Sequence, residues 1–451
     1  LEGDREVLAT LEEALPAERW SELLATLAKH EDAVLAIAGG RYDWIRRMTR
    51  AALKRPRVGQ ITLTQHLDAI ATHPFWGLVL LAVVVAATFG LTYAVGGPLQ
   101  GLAEQLVGDL ARLASSALAG APFWVSGLIV DGLIGGVGTM FTFLPILLIF
   151  FTCMGLLEDV GYMARAAFIM DRFMHAVGLH GKSFLPLFLG FGCNVPAIMG
   201  TRVIDSPKSR LLTIMLAPLV PCTARLAVLA VLVPAFFGRQ ATLVSWGLTA
   251  LPLLVLALAG ATVGRWLIRG EEAAFIMEMP LYHVPNARTI GIFVWTRLLG
   301  FLRKATTIIL SVSVVVWLLS TLPHGDVETS ILSTIGRALE PVGALMGLGW
   351  RPLVALLTSF VAKENVLATL GVLYGTGEEG LAALLPGQVG LASGLAFMVV
   401  TMLFIPCVST VAAIRQETGS WKWTLLSLML LAVISLVGGV AAYQLGVHIF
   451  P

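Results

Sequence analysis

Seven stretches of this 451-residue chain run for about the length of a membrane-crossing helix without a charge, Arg225 being the one exception. They lie near 75–97, 134–157, 211–237, 241–264, 305–322, 388–413 and 424–447. About 20 apolar residues in a helix cover the ~30 Å hydrocarbon layer. Within that layer every backbone N–H and C=O must be satisfied by the chain itself, so spans of this length are helices. Composition agrees: 57% of residues are hydrophobic and 13% charged, against roughly 25% charged in a soluble domain. A net charge of +2 points to no nucleic-acid partner. The four cysteines form no C-x-x-C pair and each sits in an apolar stretch, which argues against a secreted disulfide framework.

Residues 1–60 are of another kind. Apolar residues recur at helical spacing with charges between them in the stretch from Glu6 to Gly40, the pattern of a soluble helical piece. The chain begins at Leu1 with no signal-peptide pattern, so the expectation is that it starts partway through a longer protein. Arg41, Arg46, Arg47, Arg50, Lys54, Arg55 and Arg57 then crowd before the first span. The positive-inside rule places this end in the cytoplasm.

Two further apolar stretches differ from simple spans. Residues 184–200 contain Pro186, Gly190, Gly192, Pro196 and Gly200, and 352–374 carry Lys363-Glu364 in their middle. After spans at 75–97 and 134–157, with a Lys- and Arg-poor outer segment 98–133 between them, Arg165, Arg172 and Lys182 fall inside. A full crossing at 184–200 would put Arg202, Lys208 and Arg210 outside; a dip and return keeps them inside. The loop after 352–374 holds Glu378 and Glu379 with no basic residue and suits the outer face. Two re-entrant or broken segments entering from opposite faces fit these charges.

An internal repeat supports that reading. LFLGFGCNVPAIMG followed by MLAPLVPCTARLAVLAVL corresponds to LLTSFVAKENVLATLG followed by MLFIPCVSTVAAI. Each unit pairs an interrupted segment holding Asn-Val (Asn194, Asn365) with a helix broken at Pro-Cys (Pro221-Cys222, Pro406-Cys407). Repeats with helices interrupted at the bilayer midplane are a transporter pattern.

Cys153 stands in an unbroken apolar helix and reads as a small buried hydrophobe. Cys193, Cys222 and Cys407 each adjoin Pro or Asn at a helix break. A break frees backbone groups that protein, water or an ion must satisfy, and a thiol there can ligate a soft or borderline divalent metal. A single such cysteine is more often packing; three at matching breaks favour a metal path. Glu364 lies in an apolar span, where a charge costs roughly 3 kcal/mol or more and faces a pathway or a partner, the bland alternative being an internal pair with Lys363. Asn194 and Asn365 offer oxygen ligands at equivalent repeat positions. Glu158 and Asp159 close the second span at its inner end, either as an interfacial acidic pair near Arg165 or as a metal exit. Met163 and Met199 could lend thioethers, though a membrane methionine usually packs.

Gly181-Lys182-Ser183 imitates the end of a P-loop, but Ala176 occupies the position that needs glycine and no strand precedes it. The expectation is that this chain alone neither binds nor hydrolyses GTP, and that it is a transporter rather than an enzyme.

LLEDVGYMARAAFIMDRFMHAVGLHGKSFLPLFLGFGCNVPAIMGTR, LAPLVPCTARLAV, FVAKENVLATLGVLYG and IPCVSTVAAIRQETGSWKW closely resemble the membrane region of the ferrous iron transport protein B (FeoB) family, from about residue 40 onward. The resemblance implies Fe²⁺ uptake across a bacterial or archaeal inner membrane. It also implies two gate repeats similar to those of nucleoside transporters, and an N-terminal GTPase domain followed by a helical domain. Residues 1–40 resemble the end of that helical domain, so GTP and Mg²⁺ would belong to a part absent here. Small cytoplasmic Feo proteins and a homo-oligomer are among the partners implied. Carried over by motif, the metal-path cysteines fall on Cys193, Cys222 and Cys407 and the acidic gate residue on Glu364.

The expected architecture is an all-α polytopic membrane protein with two pseudo-symmetric gate repeats. Residues 1–60 form a soluble cytoplasmic segment and 61–451 the transmembrane domain, with gate repeats at about 134–268 and 300–448. Only the resemblance specifies iron: Zn²⁺ or Mn²⁺ would meet the same ligands. A nucleoside-like solute carrier and a membrane protein whose cysteines only pack are the alternatives.

Overall fold

The structure, a computed structural model, describes residues 12–13, 15–28, 33–52, 58–120, 122–266, 279–322, 327–376 and 378–449, and these contain helices, turns and no strand. Residues 1–63 and 64–451 form two compact units. The first holds α1 (Ala17–Ala28) and α2 (Ala33–Ala52). Arg41, Arg46 and Arg47 are exposed on α2, with Arg46 paired to Asp43 at 2.7 Å. The expected basic cluster continues through Lys54, Arg55 and Arg57, which lie outside the described residues, as do residues 1–11 of the expected helical piece.

Helix α3 (Val58–Ala71) leads into the second unit, and α4 runs unbroken over Trp76–Ala117. The expected span ends at 97, yet the helix passes through Pro98 to a length of 42 residues. Residues beyond Pro98 are good helix formers, and Gln100–Glu104 at 2.7 Å and the Arg112–Asp109 pair lie at i,i+4 and i,i+3. A short turn at Phe123–Gly127 enters a π-helical stretch, Leu128–Gly135, and then α5 (Gly136–Asp159) and α6 (Tyr162–Ala176).

The segment 184–200 is a hairpin of two half-helices, α7 (Phe184–Gly190) and α8 (Asn194–Gly200). At seven residues each they reach roughly 10 Å, far short of a crossing. The following span is broken as expected: α9 (Pro207–Leu216) ends in a 3₁₀ turn, Val220–Cys222 is extended, and α10 (Thr223–Phe237) restarts. Pro218 and Pro221 remove the N–H groups that a continuous helix would use. Helix α11 (Ala241–Trp266) follows.

The second repeat opens with α12 (Ala287–Thr321), which begins well before the expected 305. Arg288 and Arg297 do not mark a loop; Arg297 lies over the Phe293 ring at 5.4 Å along the helix surface. After α13 (Ile331–Ala344), residues 350–373 form the second hairpin, α14 (Trp350–Thr358) and α15 (Asn365–Leu373). Then come α16 (Glu378–Gln388), α17 (Leu391–Leu403), a break at 404–407, α18 (Val408–Thr418) and α19 (Trp421–Ile449).

Among the described residues five stretches are long and apolar enough to cross a membrane: Trp76–Ala117, Phe141–Asp159, Pro207–Gly264, Leu391–Thr418 and Trp421–Ile449. Pro207–Gly264 contains two of the expected spans, and Leu310–Thr321 is a shorter apolar helix. On α19, Leu425, Met429, Val433 and Val437 are exposed while Thr424, Ser427, Ser435 and Gly439 are buried against α17 and its neighbours. An apolar outer stripe over a small, polar inner face suits a helix in lipid. One core joins the repeats, with Leu216, Val228 and Leu232 from the first packed in the same cluster as Val366, Met398 and Met402 from the second.

Candidate metal pathway

The two hairpin tips and the two helix breaks meet at one cavity of about 100 Å³. Cys193, Cys222, Glu364 and Cys407 all line it, and each occupies the N-cap position of a helix: α8, α10, α15 and α18. None of the four side chains makes the N-cap bond of its own helix, although the Cys407 sulfur lies 3.2 Å from the Thr410 hydroxyl one turn along α18. Helix N-termini carry partial positive charge and unsatisfied N–H groups. Cysteine and glutamate ligate metals in their anionic forms, and a helix N-terminus is the end that complements negative charge.

The backbone explains how these residues converge. Thr223 donates from its N–H at 3.3 Å and its hydroxyl at 3.0 Å to the Gly192 carbonyl, tying the α10 break to the first hairpin tip. Val408 N–H donates to the Phe360 carbonyl at 2.7 Å, doing the same for the α18 break and the second tip. Gly192 is glycine because a Cβ there would sit 2.4 Å from the ring of the buried Phe150.

Two buried cations share the cavity wall. Arg225 donates to the Pro218 carbonyl at 2.7 Å and the Phe404 carbonyl at 2.6 Å. Lys363 donates to the Ile405 carbonyl at 2.5 Å and the Ser359 hydroxyl at 3.4 Å, with its ammonium 5.0 Å from the Phe404 ring. Among the described residues Lys363 and Glu364 form no ion pair; adjacency in sequence suggested one, but the lysine is drawn to carbonyls that the break leaves open. Reading the sequence passed over Arg225 as a site residue. Its signal was present, since it is the only charge inside any uncharged stretch.

Asn194 lines the cavity, buried and with its side-chain oxygen unpartnered, as does Ser409 with its hydroxyl. Asn365 does not line it. Cys153 is buried away from the cavity. Met163 is buried in the cluster around Phe150 and Phe151, and Met199 packs against the main core. Asp159 accepts from the Asn286 N–H at 2.7 Å, and Glu158 is exposed at the end of α5. Arg165 does not serve that acidic pair: it is fully buried, grips Asp68 at 2.9 and 3.2 Å, donates to the Gly161 carbonyl and lies 4.2 Å from the Tyr282 ring.

Among the described residues no three His, Cys, Asp or Glu side chains stand close enough to hold one metal ion. The four candidates thus share a cavity without forming a closed ligand cage. At the base of the first hairpin, Lys182 pairs with Asp205 and its N–H donates to His180 Nδ1, so the P-loop-like tripeptide is a capped turn. Burial, with His175 and Lys182 nearby, holds the His180 imidazole below its ordinary value.

The gate family described as nucleoside recognition matches residues 140–236 and 302–421, and the ferrous iron transport protein B C terminus family matches 246–297. A protein named Fe(2+) transporter FeoB from Staphylococcus aureus (strain MSSA476) is 37% identical over 420 residues, covering 91% of this chain and 63% of its own length. The Fe(2+) transporter FeoB of Methanocaldococcus jannaschii is 37% identical over 448 residues, covering 93% and 66%. A Porphyromonas gingivalis protein named as a fusion of Fe(2+) transport protein A and Fe(2+) transporter FeoB is 35% identical, covering 93% and 56%. The chain thus spans less than two thirds of the length of these relatives. No solved structure matches.

Proposed function

From the premise that this chain belongs to the ferrous iron transport protein B family, in its membrane region, we propose that it carries Fe²⁺ across a bacterial or archaeal inner membrane. Cys193, Cys222, Cys407 and Glu364 provide the metal path, and the N-terminus is cytoplasmic. The observation that carries this reading is that all four side chains begin helices around one cavity.

Thiolates and a carboxylate form a mixed soft and hard set suited to a borderline ion such as Fe²⁺. The open spacing suits a cargo that must leave, since a closed tetrahedral cage is the signature of structural zinc. Ligation requires thiolates, so metal arrival displaces protons from the cysteines. The buried cations keep the loaded site from accumulating net negative charge. A GTPase domain and small Feo proteins act as partners of this membrane region; the fused relative supports the second of these.

The gate family's description raises a nucleoside-like cargo. A cavity of about 100 Å³ is well below the roughly 300–1,000 Å³ of small-molecule sites, which favours an ion. Uptake by proteoliposomes containing the full chain decides the matter: Fe²⁺ accumulation that Mn²⁺ or Zn²⁺ competes against supports the metal path. Nucleoside uptake without Fe²⁺ uptake would overturn it.

A further inference from the structure

Arg225 is fully buried, yet no carboxylate pairs with it among the described residues. Its two terminal nitrogens instead take one carbonyl from each repeat: Pro218, just before the Cys222 break, and Phe404, just before the Cys407 break. Phe404 is open to it because Val408 N–H, which would complete a continuous helix, donates to Phe360 instead. Guanidinium geometry makes this possible. Two terminal nitrogens held in one plane can serve two acceptors at fixed separation, whereas an ammonium is a single point. Charge-assisted bonds of this kind gain strength where water is excluded.

We propose that Arg225 is a positioning residue for metal binding: it ties the two helix breaks to one point, so that Cys222 and Cys407 face the same cavity and move as a pair. Neither cysteine sits on a continuous helix, and the other backbone bonds at the breaks tie each to its own hairpin, through Thr223 to Gly192 and through Val408 to Phe360. The Glu417 clasp with Arg202 and Arg210 joins the repeats at the far end of α18, away from the thiols. Lys363 cannot replace the tie, since its carbonyl partner, Ile405, belongs to the second break alone. The inference rests on the thiol reading of the cavity.

The test uses the purified, reduced full chain titrated with Co²⁺, whose thiolate charge-transfer absorption reports sulfur ligands directly. The parent is compared with C222S, C407S, R225K and R225Q, and thermal unfolding is followed in parallel. The expected result is a band in the parent that weakens in both cysteine variants. R225Q should weaken it as a cysteine variant does, with Co²⁺ binding reduced roughly tenfold or more; R225K should fall between. A guanidinium that only caps carbonyls would lower thermal stability and leave band and affinity unchanged.

A band lost in the cysteine variants but kept at parent strength in both arginine variants overturns this inference and leaves the thiol reading standing. If R225Q fails to fold, R225K decides alone, and a parent-like band there overturns the inference. A parent without the band overturns the thiol reading itself, and this inference with it.

Discussion

In repeat one the hairpin tip reads Gly192-Cys193-Asn194-Val195 and in repeat two Lys363-Glu364-Asn365-Val366, while the breaks read Pro221-Cys222-Thr223-Ala224-Arg225 and Pro406-Cys407-Val408-Ser409-Thr410. The backbone plan is the same: a hairpin of two half-helices, then a helix restarted at a cysteine N-cap. The chemistry is exchanged. Repeat one gives its thiol at the tip and its cation at the break; repeat two gives its cation and carboxylate at the tip and a hydroxyl where the arginine would stand. One backbone plan thus carries two different sets of side chains to the same cavity.

The largest effect should come from the positions the repeats share. Cys222→Ser and Cys407→Ser should each lower Fe²⁺ uptake into proteoliposomes at least about tenfold, since even outer-shell partners of a metal are worth about 10–100-fold. Cys153→Ser should leave uptake within about twofold, because that thiol packs away from the cavity. If one break cysteine tolerates serine and the other does not, the repeats contribute unequally and the comparison breaks.

Next come the tips. Gly192→Ala places a methyl 2.4 Å from the rigid Phe150 ring, an overpacking that costs about 1–3 kcal/mol, readable as a drop in melting temperature. Repeat two already carries a lysine side chain at the matching position, so only the first tip should be intolerant. An alanine variant as stable as the parent would show that the first tip has slack.

The repeats are also clasped at one end. Glu417 of α18, its carboxylate only 2% exposed, accepts from Arg202 at 2.7 and 2.9 Å and from Arg210 at 2.8 Å. Both arginines are partly exposed, so Glu417→Gln should cost about 1–2 kcal/mol rather than the full cost of breaking a buried pair. Calorimetry in low and high salt checks this, with the difference shrinking at high salt.

A finer probe exchanges tip chemistry. Glu364→Cys makes the ligand set all sulfur and should shift competition a few-fold from Mn²⁺ toward Zn²⁺ and Cd²⁺; an unchanged competition order would mean Glu364 does not touch the ion. The smallest effect concerns the hairpin bases. His180 is held below its ordinary value, so the folded state disfavours its protonation, and stability should fall as pH drops from the ordinary histidine range toward the folded-state value. His180→Gln should flatten that acid limb, and whatever stability is lost with the cap on the Lys182 N–H should be the same at every pH.

Much of this was legible because local chemistry determined it. Pro221 and Pro406 cannot continue a helix ladder, and short, Gly/Pro-interrupted 184–200 cannot span a bilayer. Boundaries failed at both long helices: α4 runs through Pro98, and α12 takes in Arg288 and Arg297, long basic side chains being able to lie along a helix surface. The cysteine positions were readable from the breaks. The roles of Arg225, Lys363 and Arg165 were not, since their partners are set by tertiary packing: Phe404 is 179 residues from Arg225, Ile405 is 42 from Lys363, and Asp68 is 97 from Arg165.

That distance of 179 residues also has a meaning in time. At about 5–20 residues per second, a ribosome emits Phe404 roughly 9–36 s after Arg225. During that interval the guanidinium can hold Pro218 but lacks its second carbonyl, at a membrane depth where a charge costs about 2.5–3.5 kcal/mol. The first repeat is therefore born carrying a half-answered charge, and the arrival of the second answers it. A chain interrupted between the two halves would keep Arg225 without its Phe404 carbonyl.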